Sequence, residues 1–150
     1  AMRALDATMR ELGGDPDRVY LTGLSMGGYG SWELAVAHPG RFAAAAIICG
    51  GVAAPAWDAR LRVRSVPPGT PDPYAWVAAG IGALPVWIFH GDADNTVPVT
   101  ESRRMAAALT RAGDQVRYTE YPGVGHNAWD RTYADPALWR WLLAQRRRRG

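Results

Sequence analysis

The stretch GLSMGG at residues 23–28 lies between a short β-prone run at 19–24 and a helical pattern that continues to Ala37. This context predicts a sharp strand-to-helix turn with Ser25 at its apex. We expect a strained backbone at Ser25, with glycine on both sides because side chains there would collide with the neighbouring strand and helix. Such a turn holds the Ser25 hydroxyl above the carboxyl end of the sheet and directs the N–H of Met26 to the space beside it.

Two other interpretations of this stretch predict no nucleophile. One is a purely structural glycine-rich turn, and the other is a loop that binds phosphate. A phosphate loop ends in Gly-Lys-Ser or Gly-Lys-Thr, whereas this chain contains no lysine. The arrangement therefore favours an activated serine.

Strand-like and helical patterns alternate on both sides of the turn, which predicts a parallel sheet with helices on its two faces. Residues 52–84 interrupt the alternation with five prolines, and we expect this excursion to cover the site. Residues 1–150 are therefore predicted to form one α/β domain with about four mostly parallel strands flanked by helices. The strand patterns are 19–24, 42–49, 85–89 and 116–121; the helical patterns are 2–12, 32–37, 74–83, 101–111 and one that starts at Asp135.

Composition excludes several classes of protein. An aromatic content of 10% is too high for a disordered chain, and no apolar run is long enough to predict a membrane-spanning helix. One cysteine, Cys49, rules out an internal disulfide, and we expect it to be an inert buried thiol. The net charge of +3 comes from the terminal run Arg146–Arg149, interpreted as a solvated helix end. A tail that binds nucleic acid is the alternative, but no nucleic-acid or membrane partner is predicted.

A serine hydroxyl becomes a strong nucleophile only when a base removes its proton. His126 follows the last strand in a glycine-rich loop, GVGHN at 123–127, and parallel strands bring that loop to the same sheet edge as Ser25. His90 ends the third strand and is expected to brace its own loop, while His38 ends a helix, where a cation suits the helix dipole. We therefore predict that His126 is the base.

The acid that orients the base is expected in the loop after the third strand, GDADNTVP at 91–98. Asp92 and Asp94 both qualify by position. Asp92 is nearer to the strand and can cap its own loop, whereas Asp94 projects further toward the His126 loop. We choose Asp94, with Asp92 as the alternative.

Three motifs together resemble those of the α/β-hydrolase superfamily: LSMGG at 24–28, HGDAD at 90–94 with VP at 97–98, and GHNAW at 125–129. More narrowly, they resemble the phospholipase/carboxylesterase-like and feruloyl-esterase-like branch. In that family the second aspartate of the Gly-Asp-x-Asp segment is the triad acid, which supports Asp94. The resemblance implies a catalytic triad of Ser25, Asp94 and His126, in the chain order of that fold.

The resemblance covers only the C-terminal half of the fold, because one helix precedes Ser25 where the family normally has several strands. The loop that supplies the second oxyanion N–H in the family has no counterpart in this sequence. The strand at 19–24, central in the family, would then have a bare edge, and bare apolar edges pair with other chains. We therefore expect a homo-oligomer, and a cytoplasmic protein unless a preceding segment carried a secretion signal.

The resemblance implies a serine esterase that cleaves short-chain carboxylic esters through an acyl-enzyme on Ser25, without a metal or cofactor. Tyr29, Trp57, Trp76 and Trp129 are expected to line the substrate pocket, and core packing is the alternative for each. A second hypothesis is a non-catalytic or weakly active, self-associating remnant of the fold, favoured by the absent N-terminal half.

Overall fold

Four parallel strands form a single sheet in the computed structural model, which describes residues 1–147. The strands lie side by side in chain order, and each pairs in parallel with the next. This arrangement confirms the predicted α/β class. The elements are α1 Met2–Leu12, β1 Tyr20–Leu24, α2 Met26–Ala37, β2 Ala44–Ile48, α3 Pro73–Ile81, β3 Val86–Gly91, α4 Thr100–Ala112, β4 Val116–Tyr121, α5 Trp129–Ala134 and α6 Pro136–Ala144.

Helices cover both faces of the sheet, and alternate residues of β2 belong to two separate cores. Ala45 and Ile47 pack on one side with side chains from α2, α3 and α4, among them Trp32. Ala44, Ala46 and Ile48 pack on the other side with α6. Every residue of β2 is buried, as the continuous apolar run in the sequence predicts for a strand covered on two faces.

The helices differ from the sequence-based expectation at the C-terminal end of the chain. An additional short helix, α5, begins directly at Trp129 and precedes α6. The predicted start of α6 is confirmed, because the Asp135 carboxylate accepts a hydrogen bond from the N–H of Ala137 at 2.8 Å. Trp139 in α6 lies at the surface, where it is 40% exposed and stacks on Tyr133.

The arginine run at the C-terminus is less solvated than expected where the structure describes it. Arg147 forms an ion pair with Asp17 at 2.9 Å, and Arg146 reaches Asp15 at 3.4 Å. Both carboxylates lie in the turn that leads into β1, so these arginines tie the end of the chain to the start of the sheet. Arg148 and Arg149 lie outside the described residues.

The strand β1 forms one edge of the sheet, because it pairs only with β2 among the described residues. Homo-oligomer formation through this edge stays a prediction. Among residues 1–147, no helix combines the length and apolar character that crossing a membrane requires.

Close contact between α2 and the sheet depends on two glycines of the turn. A side chain at Gly23 would overlap the carbonyl oxygen of Gly27, and one at Gly28 would lie 2.7 Å from the Cα atom of Gly50. Gly27 itself faces open space. The expectation that glycine is needed on both sides of Ser25 is therefore right for Gly23 and wrong for Gly27.

We expect Gly28→Ala to lower the free energy of unfolding by about 1–3 kcal/mol, because the added methyl meets rigid backbone. The control is Gly30→Ala in the same helix, where the added methyl meets nothing within 4 Å. There we expect a gain of up to about 1 kcal/mol from helix propensity. Urea unfolding measures both changes, and equal effects of the two variants would contradict the packing argument.

Candidate active site

Loops that follow three of the four strands meet at the carboxyl edge of the sheet. Ser25 follows β1, Asp94 lies in the loop after β3, and His126 lies in the loop after β4. Because the strands are parallel and in register, these loops leave the sheet on the same side. Residues more than 30 positions apart in the chain are thereby brought within hydrogen-bond distance of one another.

Ser25 occupies the apex of the turn in a strained backbone conformation. Its φ is 52°, in the left-handed region that side chains rarely adopt. Its N–H donates to the carbonyl of Ile48 on the neighbouring strand at 2.9 Å, and its carbonyl accepts from Gly28 at the start of α2. These bonds hold the turn, at a strain of about 1–3 kcal/mol that the sheet and helix must offset.

His126 connects Ser25 with Asp94. Its Nε2 lies 2.8 Å from the Ser25 Oγ, and its Nδ1 lies 2.7 Å from the Asp94 Oδ2. Since a carboxylate only accepts, Nδ1 carries the proton and Nε2 is the acceptor that faces the serine hydroxyl. Trp129 packs edge-on against the imidazole, with ring centroids 5.3 Å apart, and limits its rotation.

Asp94, not Asp92, is the carboxylate that contacts His126. The Asp94 side chain is fully buried, and its Oδ1 accepts from the N–H groups of Thr96 and Val97 at 2.8 and 2.9 Å. The Asp92 carboxylate instead accepts from the N–H of Gly123 at 2.7 Å, which binds the β3 loop to the β4 loop. Of the two aspartates that the sequence left open, Asp94 is therefore the one placed against His126. Both aspartates connect the loop after β3 to the loop after β4.

A buried histidine braces the Asp94 loop, as expected for His90. Its Nε2 lies 3.1 Å from the Asp94 Oδ2 and 3.0 Å from the Val97 carbonyl, so this nitrogen carries the proton. Its Nδ1 accepts from the Ser102 hydroxyl on α4 at 2.6 Å. Burial lowers the pKa of His90, so the ring is uncharged at neutral pH.

Cys49 lies closer to the site than the sequence indicated. It ends β2 with a φ of 40°, and its Sγ lies within 4.8 Å of ligand atoms of Asp94 and His126. Three such donors can hold a metal ion, but burial raises the pKa of the Cys49 thiol to about 12. Because metals bind the thiolate, and because the other two donors already bond to each other, the set fits a metal poorly.

The four aromatic residues predicted to line a pocket do not lie together: two are beside Ser25 and His126, one is at the surface and one packs against the core. Trp129 contacts His126, and Tyr29 is buried beside the turn with a hydroxyl that has no partner among the described residues. Trp57 is 59% exposed and donates its indole N–H to the carbonyl of Thr96, which connects the excursion to the Asp94 loop. Trp76 packs against the core formed with α2 and α4, as the packing alternative proposed.

A buried carboxylate beneath the excursion gave no signal in the sequence. Glu101, at the start of α4, accepts from the N–H groups of Val52 and Ala53 at 2.8 and 3.0 Å. It also accepts from the hydroxyl of Tyr74 at 2.5 Å. These contacts fix the loop that leaves β2, but they join residues 27 to 49 positions apart, which no local pattern indicates.

Solved structures similar to this chain include two esterases. The crystal structure of a thermostable esterase shares 34% identity over 97% of this chain and 37% of its own, with a TM-score of 0.74. Esterase PE8 shares 24% identity over 93% of this chain and 57% of its own, with a TM-score of 0.68. SOBER1 of Arabidopsis thaliana shares 21% identity over 94% of this chain and 61% of its own, with a TM-score of 0.65.

The chain spans between 37% and 61% of the length of these three proteins. The two likenesses below 25% identity show the fold alone. A model of the prolyl oligopeptidase family, Peptidase_S9, matches residues 1–145. The chain therefore belongs to the prolyl oligopeptidase family, a family of serine hydrolases built on the α/β-hydrolase fold.

Proposed function

We propose that the chain is a serine carboxylesterase that cleaves short-chain carboxylic esters through an acyl-enzyme on Ser25. The observation that carries the proposal is the continuous hydrogen-bonded series from Ser25 through His126 to Asp94. A strained serine at the head of a helix, faced by the acceptor nitrogen of an oriented imidazole, has the geometry of an activated nucleophile.

In the acylation step, the Ser25 Oγ forms a bond to the ester carbonyl carbon while His126 Nε2 takes the hydroxyl proton. Asp94 stabilises the imidazolium that results, because its buried oxygen lies 2.7 Å from Nδ1. The tetrahedral intermediate then collapses, the bond to the alcohol oxygen breaks, and His126 gives its proton to the departing alkoxide. The acyl group remains on Ser25 as an ester.

In the deacylation step, a water molecule attacks the acyl carbon while His126 Nε2 removes one of its protons. The bond to Ser25 Oγ breaks, and His126 returns the proton to the serine. The products are a carboxylic acid and an alcohol, and the protein is restored without any net change in its charge. Each step needs the same imidazole tautomer, which Asp94 maintains.

The N–H of Met26 is the oxyanion donor in this proposal. It is the first amide of α2, and no acceptor among residues 1–147 engages it. An orphan N–H at the positive end of a helix suits the negative oxygen of the tetrahedral intermediate. Removal of one donor from such a site typically costs about 10² to 10³ in rate, so this amide carries a substantial share of the proposed catalysis.

Two arguments favour esters over peptides as the substrate: the chemistry of the leaving group and the similarity of the chain to a solved esterase. An alkoxide or phenoxide leaves more readily than an amine, so an ester needs less help from the oxyanion donors. The thermostable esterase with 34% identity supports the same choice. The family is named after an oligopeptidase, so hydrolysis of a chromogenic prolyl peptide should be measured in parallel with that of the ester.

We expect Ser25→Ala to reduce kcat for 4-nitrophenyl butyrate by about 10³-fold or more, because the nucleophile is removed. The control is Ser31→Ala, a second serine of α2 whose hydroxyl donates to the Gly27 carbonyl, and it should retain activity. Stoichiometric labelling of Ser25 by a fluorophosphonate is expected in the wild-type chain. Unlabelled Ser25 together with unchanged turnover in Ser25→Ala would favour the non-catalytic alternative.

His90 acts on the reaction through Asp94. It supplies one of the four hydrogen bonds that the Asp94 carboxylate accepts, and it fixes the Val97 carbonyl in the same loop. We infer that His90 is a positioning residue, which keeps the Asp94 Oδ2 in line with His126. A hydrogen bond to a charged group contributes about 1.5–3 kcal/mol.

We expect His90→Leu to reduce kcat/KM for the butyrate ester by about tenfold, because Asp94 loses one of its donors. His90→Gln places an amide N–H near the position of Nε2 and should restore most of the activity. Urea unfolding of both variants shows whether they are folded. Equal activity of the leucine and glutamine variants would overturn the positioning role.

The lowered pKa of His90 also predicts how stability depends on pH. An unfolded histidine binds a proton as the pH falls through its usual value of 6.5, while folded His90 stays neutral to lower pH. Because the unfolded state then holds more protons, the contribution is complete above this value and is lost as the pH falls below it. Urea unfolding between pH 8 and 5 should show a steeper loss of stability in the wild type than in His90→Leu, and equal slopes would contradict the assignment.

A further inference from the structure

A cleft of about 500 Å³ begins beside the reactive serine and runs along α2. One wall consists of Met26, Tyr29, Gly30 and Glu33. These residues have the spacing of one helical face, three and four positions apart. Met26, whose N–H is the proposed oxyanion donor, lies at the end of this wall and directly follows Ser25 in the chain.

The opposite wall is a short segment of the excursion, in which Arg60, Leu61, Arg62 and Arg64 line the cleft. Val63 is buried and donates its N–H to the carbonyl of Val52 at 3.0 Å, which anchors the segment to the core. Its neighbours Arg62 and Arg64 are exposed and line the cleft, together with Arg60. Three guanidinium groups therefore face α2.

Local carboxylates satisfy only part of this positive charge. Asp58 pairs with Arg60 at 3.1 Å, and Glu33 accepts from the backbone and hydroxyl of Ser65. A backbone hydrogen bond and an interaction between opposite charges also join Arg64 to Glu33. Arg62 donates to the Ala59 carbonyl at 3.4 Å, and its guanidinium forms no ion pair within 4 Å among residues 1–147. Three arginines and two carboxylates line the cleft, so a net positive charge remains to attract an anion.

The acyl part of the substrate is the part that this cleft can receive. The leaving group must lie on the His126 side, because His126 Nε2 gives it a proton. No residue of the loop at 123–127 lines the cleft. The acyl chain, which stays on Ser25 after the alcohol departs, is therefore directed along α2.

We propose that the cleft binds a carboxylate at the far end of the acyl chain, so that the preferred substrates are monoesters of dicarboxylic acids. This inference rests on the proposed esterase function. A guanidinium presents paired N–H groups that match the two oxygens of a carboxylate. The groups are exposed, so water and salt screen the attraction, and each arginine contributes a modest rather than a decisive preference.

The test compares two esters of equal chain length and identical leaving group, mono-4-nitrophenyl adipate and 4-nitrophenyl hexanoate, after subtraction of spontaneous hydrolysis. We expect the wild type to have the higher kcat/KM for the adipate ester. Arg62→Gln and Arg64→Gln should each lower the adipate-to-hexanoate ratio about three- to tenfold, with hexanoate turnover unchanged. Arg10→Gln, on the exposed surface of α1, is the matched control.

Added salt supplies an independent readout, because 0.5 M NaCl, about a fivefold increase over a standard buffer, should reduce the wild-type ratio toward that of the variants. An unchanged ratio in both arginine variants, with hexanoate turnover retained, would overturn the carboxylate site alone. If the wild type and Ser25→Ala hydrolysed both esters at the same rate, the esterase function itself would be overturned instead.

Discussion

A buried carboxylate sets the geometry of the whole site. Asp94 has no exposed side-chain surface, and an ion in that position is stable only when its oxygens are fully hydrogen-bonded. Thr96 and Val97 supply two donors from its own loop, His90 supplies a third, and His126 supplies the last. The four hydrogen bonds that this one charge requires therefore shape the β3 loop and also turn the imidazole of His126 toward Ser25.

Strain at the sheet edge is balanced by the hydrogen bonds of the sheet itself. Ser25 and Cys49 both have positive φ values, 52° and 40°, and they end adjacent strands. Ser25 donates to Ile48 on β2, and Cys49 donates to Phe89 on β3, so each strained residue is fixed by the next strand. At Ser25 these bonds add to the local bond that Gly28 donates to its carbonyl. The position of Ser25 thus depends on three strands and not only on the GLSMGG motif.

Sequence patterns predicted what depends on local spacing. The turn at Ser25, the buried strand β2 and the cap at Asp135 each follow from residues within a few positions of one another. Local spacing did not distinguish Asp92 from Asp94. The fold distinguishes them, because only one of the two carboxylates meets His126 in the β4 loop. The proximity of Cys49 and the contacts of Glu101 join distant segments, so no periodicity reveals them.

The same helix couples the proposed chemistry to the proposed selectivity. The first amide of α2 is the proposed oxyanion donor, and one face of the next two turns forms the cleft wall. The arginines opposite are uninformative as residue types, because every basic residue of the chain is arginine. Their positions are informative, since Arg62 and Arg64 both line the cleft while Val63 between them is buried. Composition alone explains the arginines as a general bias of the sequence. The burial of Val63 anchors the segment that carries two of them at the cleft wall, where we propose that they bind a carboxylate.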